Sequence, residues 1–487
     1  MSVNSVASGS NRGSVFDLPY RAVTLSTLTL LALAAFDGMA VAAALPRIGG
    51  DLGVNGLSWV LTAFSLTSTI SLLVAGPAID ALGVRAVYRF TIVMFLAGSL
   101  LCAVATGMPM LIGARALQGI GGGLVMAVTI ANVGIAYPDS LRSRAFAANS
   151  TVWGVMAVAG PGAAAFMLNV VSWRGIFFLS VPLVVLAASV GWNRMGTDHV
   201  RRSFTVDVRG MVLVSAFTSV LLVGLAQLNW FSAPAMVLGT ILALAYWVHS
   251  GRIESPVLDQ RHFARFPFGL LNLIPFTFFA GPVSIDSWIP VYVQGALGKS
   301  TLLSAFAIAF LAVGWTTGSQ IVSRILDRVE NTTVMVAGFG LTIPGLAIAT
   351  TFSATTPVAF VFVVSFIQGL GIGSMTNATL SLLQRVAAPE EMGRASSAHQ
   401  FMRNFGSTLG TALSGAVIFF VVNRRIGSVA PVKELLDGKN TPLAASTQTA
   451  IAAGFRWAAI VAFCVTLLGL LAALEVKRRF RALPMVG

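Results

Sequence analysis

The chain consists of long apolar runs separated by short polar segments. Each run has about the length that an α-helix needs to cross a bilayer, roughly 17–25 residues. A helix satisfies its own backbone hydrogen bonds, so helices are the expected form of such runs in lipid. The pattern predicts fourteen spans, at 21–45, 57–79, 88–107, 110–135, 147–169, 175–193, 209–229, 233–250, 267–289, 302–324, 332–352, 357–380, 398–422 and 451–474.

The hairpin formed by 209–229 and 233–250 decides the number of spans, because a non-spanning hairpin would leave twelve. With the N-terminus inside, most of the 31 Lys and Arg residues fall on the cytoplasmic side, including the basic cluster at 477–481. An odd number of spans would place this cluster outside and weaken the bias. We therefore predict an even number, with both termini cytoplasmic. Fourteen is our prediction and twelve is the alternative.

Composition agrees with a membrane protein. Hydrophobic residues make up 56% of the chain and charged residues 10%, whereas soluble domains carry roughly 25% charged residues. The net charge of +14 follows from topology and does not predict a nucleic-acid partner. Cys102 and Cys464 lie in apolar runs, which predicts small core residues and neither a disulfide nor a metal site. The first twenty residues are polar, as expected of a cytoplasmic tail, and lack the apolar core of a signal peptide.

A short signature occurs twice along the chain. The segment QGIGGG at 118–123 recurs as QGLGIG at 368–373, and Arg144-Ala145 then falls in register with Arg394-Ala395. Two related halves within one membrane chain are typical of secondary transporters. The predicted parts are a cytoplasmic tail (1–20), a six-helix bundle (21–194), a linker with two extra spans (195–266), a second six-helix bundle (267–475) with an outer loop (423–450), and a tail (476–487).

The turn after the second span contains Gly76, Asp80, Gly83 and Arg85. A tight turn favours glycine, and a carboxylate and a guanidinium at a helix end can pair and hold it against a neighbouring helix. These residues resemble motif A of the major facilitator superfamily, which is associated with gating. Ala81 replaces the arginine that usually follows the aspartate. The alternative is an ordinary charged loop.

The fourth span carries Arg115, Gln118 and Gly119, and resembles motif B of the same superfamily. An arginine in an apolar span is costly and is usually paired or faces a wet cavity. Arg115 is therefore predicted to influence the protonation of a nearby carboxylate, or else to bond backbone carbonyls in a purely structural role. The second repeat has Ser365 at the matching position.

The fifth span resembles motif C, which is associated with exporters of the superfamily. The matching residues are Gly154, Gly160, Pro161 and Gly162. Small residues permit close helix packing, and the Gly-Pro pair permits a kink. This resemblance favours efflux over uptake.

Three further segments resemble the 14-helix drug:proton antiporter family. They are Asp37 with the following ALPRI at 44–48, WRGIFFLSVP at 173–182, and PVYVQGALGKS at 290–300. The resemblance covers nearly the whole chain. It implies an all-α major facilitator fold of two six-helix bundles plus a central two-helix hairpin, in the cytoplasmic membrane of a bacterium.

Only two of the acidic residues, Asp37 and Asp286, fall inside predicted spans. A carboxyl group in a low-dielectric cavity is easier to protonate, as proton coupling requires. The family resemblance favours Asp37 as the coupling or substrate-sensing residue. Asp286 lies nearer the outer end of its span and is either a second such residue or an interfacial one. Arg403, at the start of the thirteenth span, either extends to the cytoplasmic interface or belongs to an inner gate.

A large, mostly apolar cavity is expected between the bundles, suited to bulky lipophilic compounds. Alternatively, each candidate side chain simply packs between helices. The candidate lining residues are Phe64, Asn149, Trp153, Phe276, Trp288, Asn377 and Phe401.

No cofactor, metal or ATP is expected. The segment GALGKST at 295–301 is similar to part of a phosphate-binding loop, but Val293 stands where the spacing requires glycine. The energy source should therefore be an ion gradient. The sequence predicts a monomeric proton-coupled antiporter that exports lipophilic, including cationic, drugs or metabolites, with protons and membrane lipids as its other partners. The alternatives are a dedicated exporter of one endogenous metabolite or lipid, an uptake permease, and a non-transporting scaffold.

Overall fold

The computed structural model of the chain is helical throughout its described part. The described residues are 14–52, 59–196, 207–227, 232–254, 256–388, 391–428, 432 and 444–482. The long helices follow the apolar runs. They are α1 (Arg21–Leu52), α2 (Trp59–Leu82), α3 (Val84–Ala103), α4 (Met108–Ala136), α5 (Asp139–Val170), α6 (Trp173–Gly191), α7 (Val208–Gln227), α8 (Ser232–Ser250), α9 (Phe268–Ala296), α10 (Thr301–Ile325), α11 (Asn331–Ala349), α12 (Val358–Val386), α13 (Met392–Ile426) and α14 (Ala444–Ala482).

Twelve helices in the described part of the chain are long and apolar enough to cross a membrane. They correspond to twelve of the predicted spans. The other two predicted spans coincide with α5 and α7, and the apolar stretch of α7 covers only Val208–Leu222. The protein is therefore a multi-pass membrane protein, and the number fourteen stays a prediction.

The two sets of six helices pack in the same order. In the first set α4 packs against α2 and α3, while α1 packs against α5 and α6. In the second set α12 packs against α10 and α11, while α9 packs against α13 and α14. The repeated signature in the sequence thus accompanies a repeated packing arrangement.

The glycines of the signature explain this arrangement. A Cβ at Gly119 or Gly123 would collide with the backbone of α2, and one at Gly121 with the backbone of α3. The second copy repeats the pattern, since Gly369 and Gly373 contact the backbone of α10. Only residues without a side chain permit this close approach.

The extra helices α7 and α8 pack against each other, and α7 also packs against α2 and α13. The Phe217 and Phe405 rings meet edge to face with centroids 6.0 Å apart. At the base of the hairpin, His249 Nε2 lies 2.7 Å from Asp207 Oδ1. The hairpin therefore lies beside the seam where α2 of one half meets α13 of the other.

Helix α9 is irregular. Two π-helical segments, Phe279–Val283 and Tyr292–Ala296, interrupt it, and Pro275 and Pro282 lie within it. Such π-helical insertions occur frequently at functional sites. Asp286 follows the first of them.

One expectation about the core was wrong. Cys102 is buried, but Cys464 is exposed on the surface of α14. An apolar run in a membrane protein does not distinguish a residue that faces lipid from one that faces protein, because both environments are apolar.

Candidate functional site

Asp37 and Arg115 form a buried ion pair within the first six-helix set. Arg115 Nη1 lies 2.7 Å from Asp37 Oδ2, and the two side chains are 1% and 0% exposed. Gln118 donates from Nε2 to Asp37 Oδ1 at 3.0 Å and accepts from Arg115 Nη1 at 2.5 Å. Each carboxylate oxygen therefore has a donor, which a buried charge requires to be stable.

Aromatic rings and backbone groups of neighbouring helices surround this pair. The Arg115 guanidinium lies over the Phe64 ring, 4.2 Å from its centroid, and 5.9 Å from that of Phe177. Its Nε donates to the Val60 carbonyl at 3.2 Å, and Gln118 also donates to Ser99 Oγ at 3.0 Å. The cluster thus joins α1, α2, α3 and α4. A change in the charge of Asp37 therefore alters contacts among four helices.

Asp286 lies in the other half and is 2% exposed. Neither carboxylate oxygen has a hydrogen-bond partner within the described part of the chain. Asp286 therefore differs from Asp37, whose two carboxylate oxygens both have buried donors. Asp286 does not join the Asp37 cluster and does not line the central cavity.

The central cavity lies between the two halves and measures about 50 Å³. Both halves contribute to its wall. The described lining residues are Leu31, Met126, Thr129, Ile130, Phe146, Asn149, Ser150, Trp153, Trp315, Thr376, Asn377, Leu380 and Arg403. The cavity is smaller than expected because α5 packs closely against α10 on this side. Of the candidate lining residues, Asn149, Trp153 and Asn377 face it, whereas Phe64 covers Arg115.

The other aromatic candidates pack within or beside the second half. Trp288 donates from Nε1 to the Thr411 carbonyl at 3.0 Å. Phe276 and Phe401 both contact the Phe405 ring. For these three side chains the structure places the ring between helices.

Asp80 of motif A joins the two halves at one end of the molecule. Its Oδ1 accepts from the backbone N–H of Gly393 at 2.8 Å, and its Oδ2 accepts from that of Arg394 at 3.0 Å. These groups belong to the first turn of α13, where a carboxylate is favourable. A Cβ at Gly76 would lie 2.9 Å from Ser397 Cβ, so α2 and α13 touch along their backbones here.

Arg85 of motif A makes hydrogen bonds within the first half of the molecule. It donates from Nε and Nη2 to the Met195 carbonyl, at 3.1 and 2.7 Å. Gly83 has a φ of +82° at the start of α3, a conformation that favours glycine. Asp80 thus contacts the first turn of α13, with the Arg394 guanidinium Nε 3.6 Å from its Oδ2, while Arg85 bonds a backbone carbonyl.

A second polar connection between the halves lies at the same end. Arg144 Nη2 lies 3.4 Å from Asp327 Oδ2, and Ser143 Oγ lies 3.0 Å from Asn377 Oδ1. Gln384 Nε2 donates to the Ile130 carbonyl at 2.9 Å. Together with Asp80, these contacts close the end of the molecule that carries the α4–α5 and α12–α13 turns. Sequence reasoning missed Asp327 and Gln384, since neither stands in a recognised motif.

Motif C contributes to the contact between α5 and α10. A Cβ at Gly154 would collide with Thr316 Oγ1, and this hydroxyl donates to the Ser150 carbonyl at 3.1 Å. Gly160 is buried. The surroundings of Pro161 and Gly162 lie outside the described residues. Gly154 of this motif thus lets the two halves approach each other.

Comparison with known proteins decides the family. The profile of the Major Facilitator Superfamily matches residues 27–411, more than half of the chain. The chain belongs to the Major Facilitator Superfamily. It is 27% identical over 403 residues to the multidrug transporter protein MdtP of Bacillus subtilis (strain 168), covering 81% of this chain and 74% of the relative.

A second relative is the multidrug efflux pump SdrM of Staphylococcus aureus (strain N315). It is 25% identical over 405 residues, which cover 80% of this chain and 88% of SdrM. Among solved structures, a bacterial homologue of the iron transporter ferroportin in the outward-facing state superimposes with a TM-score of 0.60. This match has 13% identity and covers 94% of this chain and 100% of that one, so it shows the shared fold. The superfamily and these relatives are transporters and not enzymes.

Proposed function

We propose that this transporter is a proton-coupled antiporter that exports lipophilic small molecules across the cytoplasmic membrane of a bacterium. The buried Asp37–Arg115 ion pair carries the proposal. It provides one ionisable carboxylate whose charge holds four helices together. The multidrug transporter and the multidrug efflux pump among its relatives support export of drugs.

Proton binding at Asp37 would act through the loss of its charge. The neutral acid no longer attracts the Arg115 guanidinium, and a buried cation without a counter-charge is strongly unfavourable. The arginine must then find other partners, which requires α1 and α4 to move relative to each other. A proton thereby changes the relative stability of the two conformations used in alternating access.

The closed end of the molecule indicates from which side of the membrane the proton binds. By the positive-inside rule, the end closed by Asp80, Arg144 and their partners faces the cytoplasm. In this conformation the ionised Asp37 would accept a proton from outside after substrate release. Protonation would then favour opening of the cytoplasmic end, where the proton leaves and the next substrate enters.

The test uses inverted membrane vesicles that are made acidic inside. We expect several unrelated lipophilic compounds to collapse the pH gradient in vesicles with the wild-type protein. Vesicles with Asp37→Asn protein, at equal abundance in the membrane, should keep the gradient. Full gradient collapse by the Asp37→Asn protein would exclude the coupling role.

A dedicated exporter of one metabolite is the second candidate. The polar side chains in the central cavity, Asn149, Asn377 and Arg403, favour it, because fixed polar groups orient a ligand and make a site selective. In the same vesicles a dedicated exporter responds to one chemical class only. A multidrug transporter responds to compounds without a common polar group.

A further inference from the structure

Arg403 carries the only charge among the described residues that line the central cavity. It comes from α13, and the aromatic side chains Trp153 and Trp315 line the same space from α5 and α10. The cavity therefore presents one cation among apolar and neutral polar groups. In the described part of the chain Arg403 thus lines the space between the two halves, and its part in an inner gate stays a prediction.

The guanidinium of Arg403 has no acidic partner within the described part of the chain. Its Nε is buried and makes no hydrogen bond there. Instead, the guanidinium contacts the faces of two rings, 4.7 Å from the Phe279 centroid and 5.7 Å from that of Trp315. A ring face attracts a cation more weakly than a carboxylate does.

A comparison with Arg115 identifies the partner that Arg403 lacks among the described residues, which is a carboxylate. Both arginines lie over aromatic rings inside the membrane part of the molecule, but Arg115 also has the Asp37 carboxylate at 2.7 Å and Gln118 beside it. Asp286 could serve as an acid in the second half, yet it is absent from the cavity wall. The counter-charge for Arg403 must therefore come from outside the described residues.

We propose that the substrate supplies this charge: the compound that the protein transports is an organic anion, with a carboxylate, sulfonate or comparable acidic group that binds Arg403. Its apolar body would lie against Trp153 and Trp315 in a conformation in which the halves have moved apart, because the cavity of about 50 Å³ seen here is too small to enclose it. The planar guanidinium donates two parallel hydrogen bonds to such a group. This inference rests on the proposed transport function and names its substrate class.

The experiment compares two flat aromatic ions of similar size and opposite charge, naphthalene-2-sulfonate and 2-naphthyltrimethylammonium. Binding to the purified full-length protein in a non-ionic detergent is measured by calorimetry, without a pH gradient. The ratio of the two dissociation constants is the readout. We expect the wild type to favour naphthalene-2-sulfonate, and Arg403→Gln to reduce this preference about tenfold or more.

Two further variants separate charge from folding. Arg403→Lys keeps the positive charge and should retain most of the preference. Arg424→Gln removes an exposed arginine from the same helix and should leave the ratio unchanged. The proposal is overturned if the wild type binds 2-naphthyltrimethylammonium as tightly as naphthalene-2-sulfonate, if it binds neither, or if folded Arg403→Gln keeps the wild-type ratio. Since no proton gradient is used, failure here is distinct from failure of the vesicle test of proton coupling.

Discussion

At the residue scale, the protein contains two arginines in apolar surroundings, and they differ in the groups that balance their positive charge. Arg115 is neutralised by Asp37, whereas Arg403 faces a cavity with rings as its described neighbours. Sequence motifs pointed to Asp37 and Arg115 separately. They did not pair them, because 78 positions separate the two residues and only the packing of α1 against α4 brings them together.

The pair at Asp37 has a testable effect on stability. Removing one partner of a buried ion pair typically costs about 3–5 kcal/mol, while replacing both with apolar residues of similar volume is often neutral or stabilising. We therefore expect Asp37→Leu to lower the thermal unfolding midpoint in detergent. The double variant Asp37→Leu/Arg115→Met should recover most of the loss.

A double variant as unstable as Asp37→Leu alone would contradict this account of the pair. It would mean that the side chains matter for their shape or for their other hydrogen bonds. The intrinsic fluorescence of the tryptophans provides the unfolding signal, and a substitution at exposed Arg424 serves as the control.

At the scale of helices, glycines decide which faces can touch. The repeated signature could be recognised from the sequence. It explains why α4 packs closely against α2 and α3, and why α12 packs closely against α10 and α11. The π-helical segments of α9 were not predictable, because the run of apolar residues does not show where a helix departs from α-helical geometry. The capping of α13 by Asp80 was also not predictable, since the motif alone does not identify the helix that receives the carboxylate.

Gly76 allows the helix contact that closes one end of the molecule. A Val side chain there would press against Ser397 and the backbone of Arg394, so Gly76→Val should favour the conformation open at this end. Spin labels on exposed Ser140 and Arg328, one in each half, should then show longer distances. The background for labelling is Cys464→Ser, since Cys102 is buried.

Gly340→Val is the matched control, because a Cβ at Gly340 meets nothing within 4 Å. Its distance distribution should equal that of the parent. If Gly76→Val also leaves the distribution unchanged, the α2–α13 contact does not control the closed conformation.

At the scale of the whole molecule, the lengths of the apolar runs predicted the helices well, because a bilayer requires spans of similar length. It could not settle the number of spans, since the hairpin α7–α8 lies at the edge of the bundle and its polarity alone does not fix its depth. The superfamily fold followed from motifs A, B and C. The charge of the cavity did not, because it depends on which side of α13 faces the other half.

The topology can be tested with an impermeant thiol reagent on intact cells. In the Cys464→Ser background, fourteen spans place Ala233→Cys, which is exposed at the start of α8, on the outer side, where it should react. Ser140→Cys should remain unlabelled until the cells are opened. Labelling of Ala233→Cys only after opening would favour twelve spans and a hairpin that does not cross.

The central claim is that Asp37 couples substrate export to proton uptake. The most direct measurement uses the purified protein in proteoliposomes, with a compound that collapses the gradient in the vesicle assay. Uptake against a concentration gradient, driven by an imposed pH gradient, is compared with exchange of labelled for unlabelled compound without a pH gradient. We predict that Asp37→Asn protein loses the driven uptake but keeps exchange. Driven uptake by Asp37→Asn at the wild-type rate would contradict the account.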